Sequence, residues 1–541
     1  MKTPVVIVGA GLGGLSAACH LSGQGLPVIV LEVSDGPGGR AGLIEDAGYR
    51  FDTGPTVLTM PDLVEECLAA AGVDANGMLA MRPIDPMYRA SFADGSVVHV
   101  RRGREAMADE IRDVCGTAEA ASFHRFCDWL TELYQLEMPN FINRNFDSPL
   151  DLVRPLRPAI QLARLGGLRH LRSVVNHYFD DERLRRIFSF QTLYAGLAPY
   201  EALAIYAVIT YMDTVNGVFV PAGGMYELPR ALAAAATRAG TTFRYGATVE
   251  RIILRDGSHG PVRGVRLVGG EVIATDTVVC NADLPVAYRE LLPELKAPRR
   301  ARTGHYSPSA VVWHAGVAGP MPDSIAHHNI HFGNAWDSAF RDVIHDGRRM
   351  RDPSLLVTVP TLDEPSMAPD DRHVLYVLEP APNLDGHVDW KAERATLRDS
   401  LAARVAALGY PTDVEVEHMV DPRDWQEQGL ERGTPFGLAH RFMQTGPFRP
   451  ANRERQAPGL VLNYGCGQTF LTAVAPDLGE HNCVAKRGSP WAPSPTVTPP
   501  AVERAHSRQE CDERLGLSVR SAAQTQIRER RRPDTGRADG H

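Results

Sequence analysis

The apolar run Pro4 to Val8 (PVVIV) passes straight into Gly9-Ala10-Gly11-Leu12-Gly13-Gly14, and this junction constrains the chain more than any other feature. Such a β-branched run reads as a strand buried on both faces, and the glycines after it end the strand and open a helix. Gly9 permits a tight turn, Gly11 lets backbone approach a pyrophosphate, and Gly14 lets the helix lie close on the strand. The helix dipole then faces the phosphates. Leu15 to Leu21 continues the helix, Gly23 to Gly25 ends it, and Val28 to Leu31 is a second strand delivering Glu32 at its C-terminal end. Glu32 lies 32 − 11 = 21 residues after Gly11, the spacing at which an acidic side chain meets a ribose hydroxyl. A plain βαβ unit with a fortuitous glutamate would not need all of these together. The pattern predicts a Rossmann-type dinucleotide-binding unit with Gly9, Ala10, Gly11, Gly13, Gly14 and Glu32 at the cofactor.

At 541 residues the chain exceeds one ordinary core, which predicts two or three structural units. With 44% hydrophobic and 23% charged residues it is neither globally disordered nor a multi-span membrane protein. The formal net charge of −8 argues against a protein that coats nucleic acid. No residue from Thr3 to Leu31 carries a formal charge, but six glycines chop that stretch into strand, turn, helix and strand, so it reads as buried globular structure rather than a signal peptide. The eight cysteines are far apart and form no Cys-x-x-Cys pair, which excludes a disulfide scaffold or zinc ribbon and suggests a reducing compartment.

Two turn motifs follow Glu32: Pro37-Gly38-Gly39-Arg40-Ala41 and Asp52-Thr53-Gly54-Pro55-Thr56. On these the chain resembles the flavin-dependent amine oxidase and carotenoid desaturase superfamily. The resemblance implies FAD, with Gly39 and Arg40 near its phosphates and Gly54 and Pro55 near the flavin ring.

Further stretches are similar to bacterial-type phytoene desaturases: FDTGPTVLTMPDL (Phe51 to Leu63), FSFQTLYAGLAPYEALAIYAVITYMD (Phe188 to Asp213), FVPAGGMYELPRAL (Phe219 to Leu232), VVCNADLP (Val278 to Pro285) and LERGTPFGLAHRFMQTGPFRPANR (Leu430 to Arg453). The residues themselves predict a turn at Ala222-Gly223-Gly224-Met225, an alanine-rich helix to Arg238, and strands at Thr242 to Tyr245 and Thr248 to Leu254 followed by a hairpin. The resemblance returns this region to the FAD domain, puts the Val249 backbone at the adenine, and closes that half with Asn281-Ala282-Asp283.

The implied fold is α/β: a Rossmann-type FAD-binding domain with a discontinuous β-sheet substrate domain and a helical membrane-facing subdomain. The expected boundaries are 1–84, 215–290 and 430–488 for the FAD-binding parts, 85–114 and 291–429 for the substrate parts, 115–214 for the helical subdomain, and 489–541 for a disordered tail. From Asp151 to Phe179, Leu162, Leu165, Leu168, Leu171 and Val175 recur at helical spacing beside Arg157, Arg164, Arg169 and Arg172. A solvated bundle helix has the same pattern, and the resemblance favours contact with an anionic membrane surface.

The implied activity is FAD-dependent desaturation of a long-chain, phytoene-like polyene towards lycopene, by a cytoplasmic, peripherally membrane-associated enzyme. Rival readings on the same scaffold are a desaturase of other carotenoids, a ketolase or an amine oxidase. The last would want a lysine near the flavin, and the four lysines lie in peripheral-looking segments. No catalytic base is singled out: Asp147, Asp151, Arg89 and Arg154 are polar residues of cavity segments and read as structural. Ala326-His327-His328-Asn329-Ile330-His331 has too few acids and no cysteine for a metal site and reads as a histidine-bearing strand.

The likeness stops after Leu462. Relatives continue there into a glycine-rich flavin-binding segment, whereas this chain reads Asn463-Tyr464-Gly465-Cys466-Gly467-Gln468 and then turns rich in proline and arginine. A frameshift or divergence that replaced the C-terminus would leave a catalytically inactive homologue with a damaged flavin site.

Overall fold

The computed structural model describes residues 3–143, 146, 150 and 156–462, which all fall within one of the chain's two compact units. The divergent segment from Asn463, the tail, Asp147, Asp151 and Arg154 lie outside the described residues.

Strand β1 (Val5–Val8), helix α1 (Leu12–Gly23) and strand β2 (Val28–Leu31) form where the glycine pattern predicts them. With strands Thr242–Arg244, Val278–Cys280 and Leu460–Leu462 they build a parallel five-stranded sheet with β1 at its centre. Both faces of this sheet are covered, which is why its strands are continuous apolar runs. Val5, Ile7, Val28 and Val30 face α1 and the helix Glu227–Arg238. Their neighbours Val6, Val8 and Leu31 point the other way, onto an antiparallel sheet that begins with the hairpin Val249–Leu254 and Val262–Leu267. The alanines of Glu227–Arg238 are short enough for it to pack closely along α1.

A second, mixed sheet has seven strands and is assembled from two distant stretches of chain, residues 88–100 and 309–420. Tyr88–Ser91 runs parallel to His328–His331, and the remaining pairings are antiparallel. Its long strands Ser309–Ala318 and Arg372–Ala381 pair over their whole length and bury Val311, Trp313, Leu375 and Val377 under the helix Trp390–Ala407.

Residues 104–215 are mostly helical. The long helix Thr117–Glu137 buries Phe123, Phe126 and Leu130 against Phe179 and Phe188. The expected amphipathic stretch is two helices, Leu156–Arg164 and Leu171–Tyr178, parted where Gly166 takes φ +78°. Leu162, Leu171 and Val175 are buried, whereas Leu168 is 53% exposed. Arg172 leaves the basic face to pair with Asp337 at 2.6 Å. Among the described residues no helix is long and apolar enough to cross a membrane.

Candidate active site

The turn between β1 and α1 is shaped by contacts that only glycine permits. Gly9 sits at φ +97°, and a Cβ on Gly14 would come 2.1 Å from the Gly9 carbonyl oxygen, so Gly14 is what lets α1 lie against β1. The first-turn N–H groups of α1 have no acceptor inside the helix and point past Gly11. A Cβ on Gly39 would lie 3.1 Å from Gly11 Cα, and one on Gly11 would lie 3.0 Å from Asn281 Nδ2, narrowing the space a pyrophosphate needs. The cradle fits a dinucleotide.

Glu32 is 6% exposed at the end of β2. Its Oε2 accepts the Ala10 N–H at 2.6 Å and its Oε1 accepts the Ser34 N–H at 2.9 Å. Each carboxylate oxygen keeps a lone pair for a hydroxyl donor. The Ala10 carbonyl in turn accepts the Gly38 N–H at 2.9 Å, so one residue ties β2 and the Gly38-Gly39-Arg40 turn to the fingerprint.

The two later turn motifs are clamped together. Thr53 Oγ1 accepts the Gly42 N–H at 3.1 Å, and a Cβ on Gly54 would come 2.0 Å from the Arg40 carbonyl oxygen. The Arg40 guanidinium donates to the Pro435 carbonyl, which draws the 430s across the turn. Asp283 accepts the Glu431 N–H at 2.7 Å and fastens the same segment to Asn281-Ala282-Asp283. Burial raises the Asp283 carboxyl above its ordinary range, and the neighbouring Arg40 opposes that rise.

One cavity of about 1690 Å³ connects these parts. Gly9, Gly11, Gly13, Glu32 and Val249 line one part of it, together with Gly39, Arg40, Gly54 and Pro55 from the two later turns. Ala10 and Gly14 stand behind that wall: Ala10 is fully buried with its N–H and carbonyl both engaged, and Gly14 faces β1. The other end is apolar, with Phe190, Ile209, Met212, Phe332 and Trp336 on its walls, and it reaches the exposed side chains of Ile160 and Leu168.

Buried polar groups interrupt this apolar end, and Asp213, Glu137 and Tyr88 are among them without having been singled out by sequence reasoning. Asp213, in the π-helical turn Tyr211–Val215, accepts from Gln191 Nε2 at 3.1 Å and Thr214 Oγ1 at 2.8 Å. Burial pushes its carboxyl up to about 7, against the pull of those two hydrogen bonds. Glu137 is raised well above its ordinary range by burial, and its Oε1 has no hydrogen-bond partner among the described residues. The Tyr88 hydroxyl is likewise buried without one.

Arg89 donates to Ser91 Oγ at 2.5 Å. The histidine strand is His328–His331. His327 pairs with Asp363 at 2.6 Å, His328 meets Thr358 Oγ1 at 2.8 Å and His331 meets the Tyr410 hydroxyl at 2.9 Å, so each imidazole has its own partner.

The family model for flavin containing amine oxidoreductases matches residues 12–465. The chain belongs to that family. This amine oxidoreductase relative is 46% identical to the phytoene dehydrogenase of Streptomyces griseus over 507 residues, 93% of this chain and 96% of the other. It is 38% identical to the zeta-carotene-forming phytoene desaturase of Myxococcus xanthus, covering 90% and 94% of the two chains. The solved structure of an oxidoreductase from Methanosarcina mazei superposes with a TM-score of 0.56 at 15% identity, covering 89% of this chain and 100% of that one, which shows the shared fold. The cofactor is FAD, consistent with the family and with the cradle at Gly11, Gly39 and Glu32. The family match ends at residue 465, but the alignment to the Streptomyces griseus protein takes in 93% of the 541 residues and so runs past Leu462, which corrects the expectation that the likeness stops there; the catalytically inactive alternative is not favoured.

Proposed function

We propose that this protein is an FAD-dependent phytoene desaturase that introduces carbon–carbon double bonds into a long-chain polyene. The observation that carries the reading is that one cavity of about 1690 Å³ is lined both by the dinucleotide cradle and by apolar side chains, with room for a hydrocarbon chain. The names of the two curated relatives, which span nearly the whole chain, support the same substrate class.

In this reading the Gly9 to Gly14 turn and the α1 N-terminus hold the pyrophosphate, with Arg40 close by, Glu32 receives ribose hydroxyls, and the Val249 backbone flanks the adenine. Gly54 and Pro55 lie against the flavin ring. FAD, when bound, supplies the two-electron acceptor. The chain's own work is to align one saturated bond of the polyene and keep water away from it, for which Phe190, Ile209, Met212 and Trp336 provide dry walls.

The seven-stranded sheet then serves as the discontinuous substrate domain, with 1–84, 215–290 and the described part of 430–488 as the FAD-binding parts. The helical region faces a membrane surface, where Leu156, Ile160 and Leu168 are exposed among Arg157, Arg164 and Arg169. That arrangement suits a peripheral, cytoplasmic enzyme drawing an apolar substrate from the bilayer.

The test is anaerobic mixing of the flavin-loaded protein with phytoene in phospholipid vesicles. The expected result is bleaching of the flavin absorption with formation of products of longer conjugation. Bleaching by primary amines but not by phytoene would overturn the reading.

A further inference from the structure

Removing two hydrogens from adjacent saturated carbons takes a hydride and a proton. The desaturase reading accounts for the hydride through FAD and leaves the proton without a destination. The walls of the apolar chamber are dry, so a proton acceptor has to come from the few polar groups that reach it.

Asp213 is the carboxyl whose surroundings suit that task. It lies on the cavity wall between Met212 and the turn to Val218, in a π-helical segment, a backbone form frequent at functional sites. Gln191 and Thr214 each donate one hydrogen bond to it, to different oxygens, which fixes the carboxyl plane. Gln191 Nε2 is itself anchored on the Ile187 carbonyl at 2.9 Å, so the fork does not swing. No ion pair quenches the carboxyl among the described residues. Six residues on, Phe219 pairs with Leu58 through two backbone bonds of 2.8 Å, and Leu58 follows Pro55 by three residues along the chain. Asp213 is thereby tied to the part of the wall where the flavin ring is expected. Glu137, the other buried carboxyl on the cavity wall, differs in that its Oε1 has no hydrogen-bond partner among the described residues, so nothing comparable holds its carboxyl in one plane.

On the basis of the desaturase reading, we infer that Asp213 is the catalytic proton acceptor of the reaction. One substrate C–H bond gives up its hydride to bound FAD, which is reduced by two electrons. The neighbouring C–H bond breaks, its electron pair becomes the new π bond, and its proton passes to an Asp213 oxygen. The substrate loses two hydrogens and two electrons in all.

The electrostatic setting agrees. Burial holds the Asp213 carboxyl near about 7, so its ionised and protonated forms are both accessible at neutral pH, as a base that must take up and release a proton requires. The titratable and charged groups on the elements packed around it include Tyr88, Tyr194, Tyr134, Tyr211, Cys127, Glu137, His328 and Arg102. Burial pushes the tyrosines, Cys127, Glu137 and His328 towards their neutral forms, and the Arg102 guanidinium is turned to the Asn216 carbonyl and the Phe219 ring, with no ion pair to Asp213 among the described residues.

The experiment compares wild type with Asp213→Asn and Asp213→Glu as purified holoproteins, reading FAD content, phytoene binding in vesicles, and the single-turnover rate of flavin reduction against pH. Asp213→Asn is expected to keep its FAD and bind phytoene, to reduce its flavin about 100-fold more slowly or worse, and to lose the pH dependence of that step. Asp213→Glu is expected to recover most of the rate with its pH midpoint displaced. An infrared titration of the carboxyl band, which needs no turnover, is expected to show a group protonating near neutrality in wild type and missing from Asp213→Asn. Flavin reduction in Asp213→Asn at the wild-type rate overturns the assignment. So does a slow Asp213→Asn with an unchanged pH profile, which marks a merely structural carboxyl. No flavin reduction by phytoene in wild type removes the desaturase reading itself, and this inference falls with it.

Discussion

Glu32 accepts the Ala10 N–H at 2.6 Å, which joins the end of β2 to the turn before α1. Ala10 is fully buried, so its amide has no water to turn to if the carboxylate is removed. Glu32→Ala is expected to cost about 1–3 kcal/mol for the orphaned donor and to lower FAD affinity as well. Glu32→Gln keeps one acceptor oxygen and is expected to retain more of both. Thermal unfolding with and without added FAD separates the two effects: the loss without FAD reports the turn, and any further loss with FAD reports the ribose contact.

Gly14 tests the other half of the fingerprint. The Cβ of Gly14→Ala would sit 2.1 Å from the Gly9 carbonyl oxygen, which is backbone and cannot swing aside. Helix α1 must move outward, and the cradle at Gly11 moves with it. The expected cost is about 3 kcal/mol or more, with loss of flavin colour in the purified protein. A Gly14→Ala protein that binds FAD normally would show that the helix has slack the structure does not suggest.

The βαβ unit was legible because each step leaves a local mark: β-branched runs for strands buried on both faces, glycines at the turn, and an acid at fixed spacing. The amphipathic stretch was legible only in part. Its leucines and arginines follow one helical period, but Gly166 breaks the backbone between Arg164 and Leu171, and Arg172 finds Asp337 from another part of the chain. Asp213 left no mark at all. Its placement depends on Gln191 and on the pairing of Phe219 with Leu58, contacts between segments apart in sequence, and period or composition carries no trace of them.

Asp213 also predicts how stability changes with pH. Its folded-state carboxyl titrates near about 7 against an ordinary value of 3.8. Between those values the unfolded chain has already released a proton that the folded protein keeps, so this group's contribution to stability falls as pH rises from about 4 to about 7 and is level above. The slope from one such group reaches at most about 1.4 kcal/mol per pH unit. Asp52, raised to about 6 by burial, acts in the same direction at the Met225 and Tyr226 amides it accepts. Asp213→Asn is expected to be more stable than wild type at pH 8 and nearly equal to it at pH 4. Denaturant unfolding across that range gives the difference curve, and a flat difference would mean that Asp213 titrates normally.

The exposed face of the helical region makes the last prediction, which concerns membranes. Leu156 is 61% exposed, Ile160 42% and Leu168 53%, apolar area that water disfavours unless something covers it. Arg157, Arg164 and Arg169 are exposed on the same stretch, and Ile160 and Leu168 also line the cavity. A surface that is both apolar and cationic is suited to anionic lipid, and the cavity behind it gives a polyene a path inward. The protein is expected to float with vesicles containing anionic lipid and to bind neutral vesicles more weakly, with added salt reducing only the electrostatic part. Ile160→Asp with Leu168→Asp is expected to abolish flotation while leaving FAD content unchanged, since neither residue touches the cradle at Gly11 and Glu32. Equal flotation of this variant and wild type would move the membrane contact to another face.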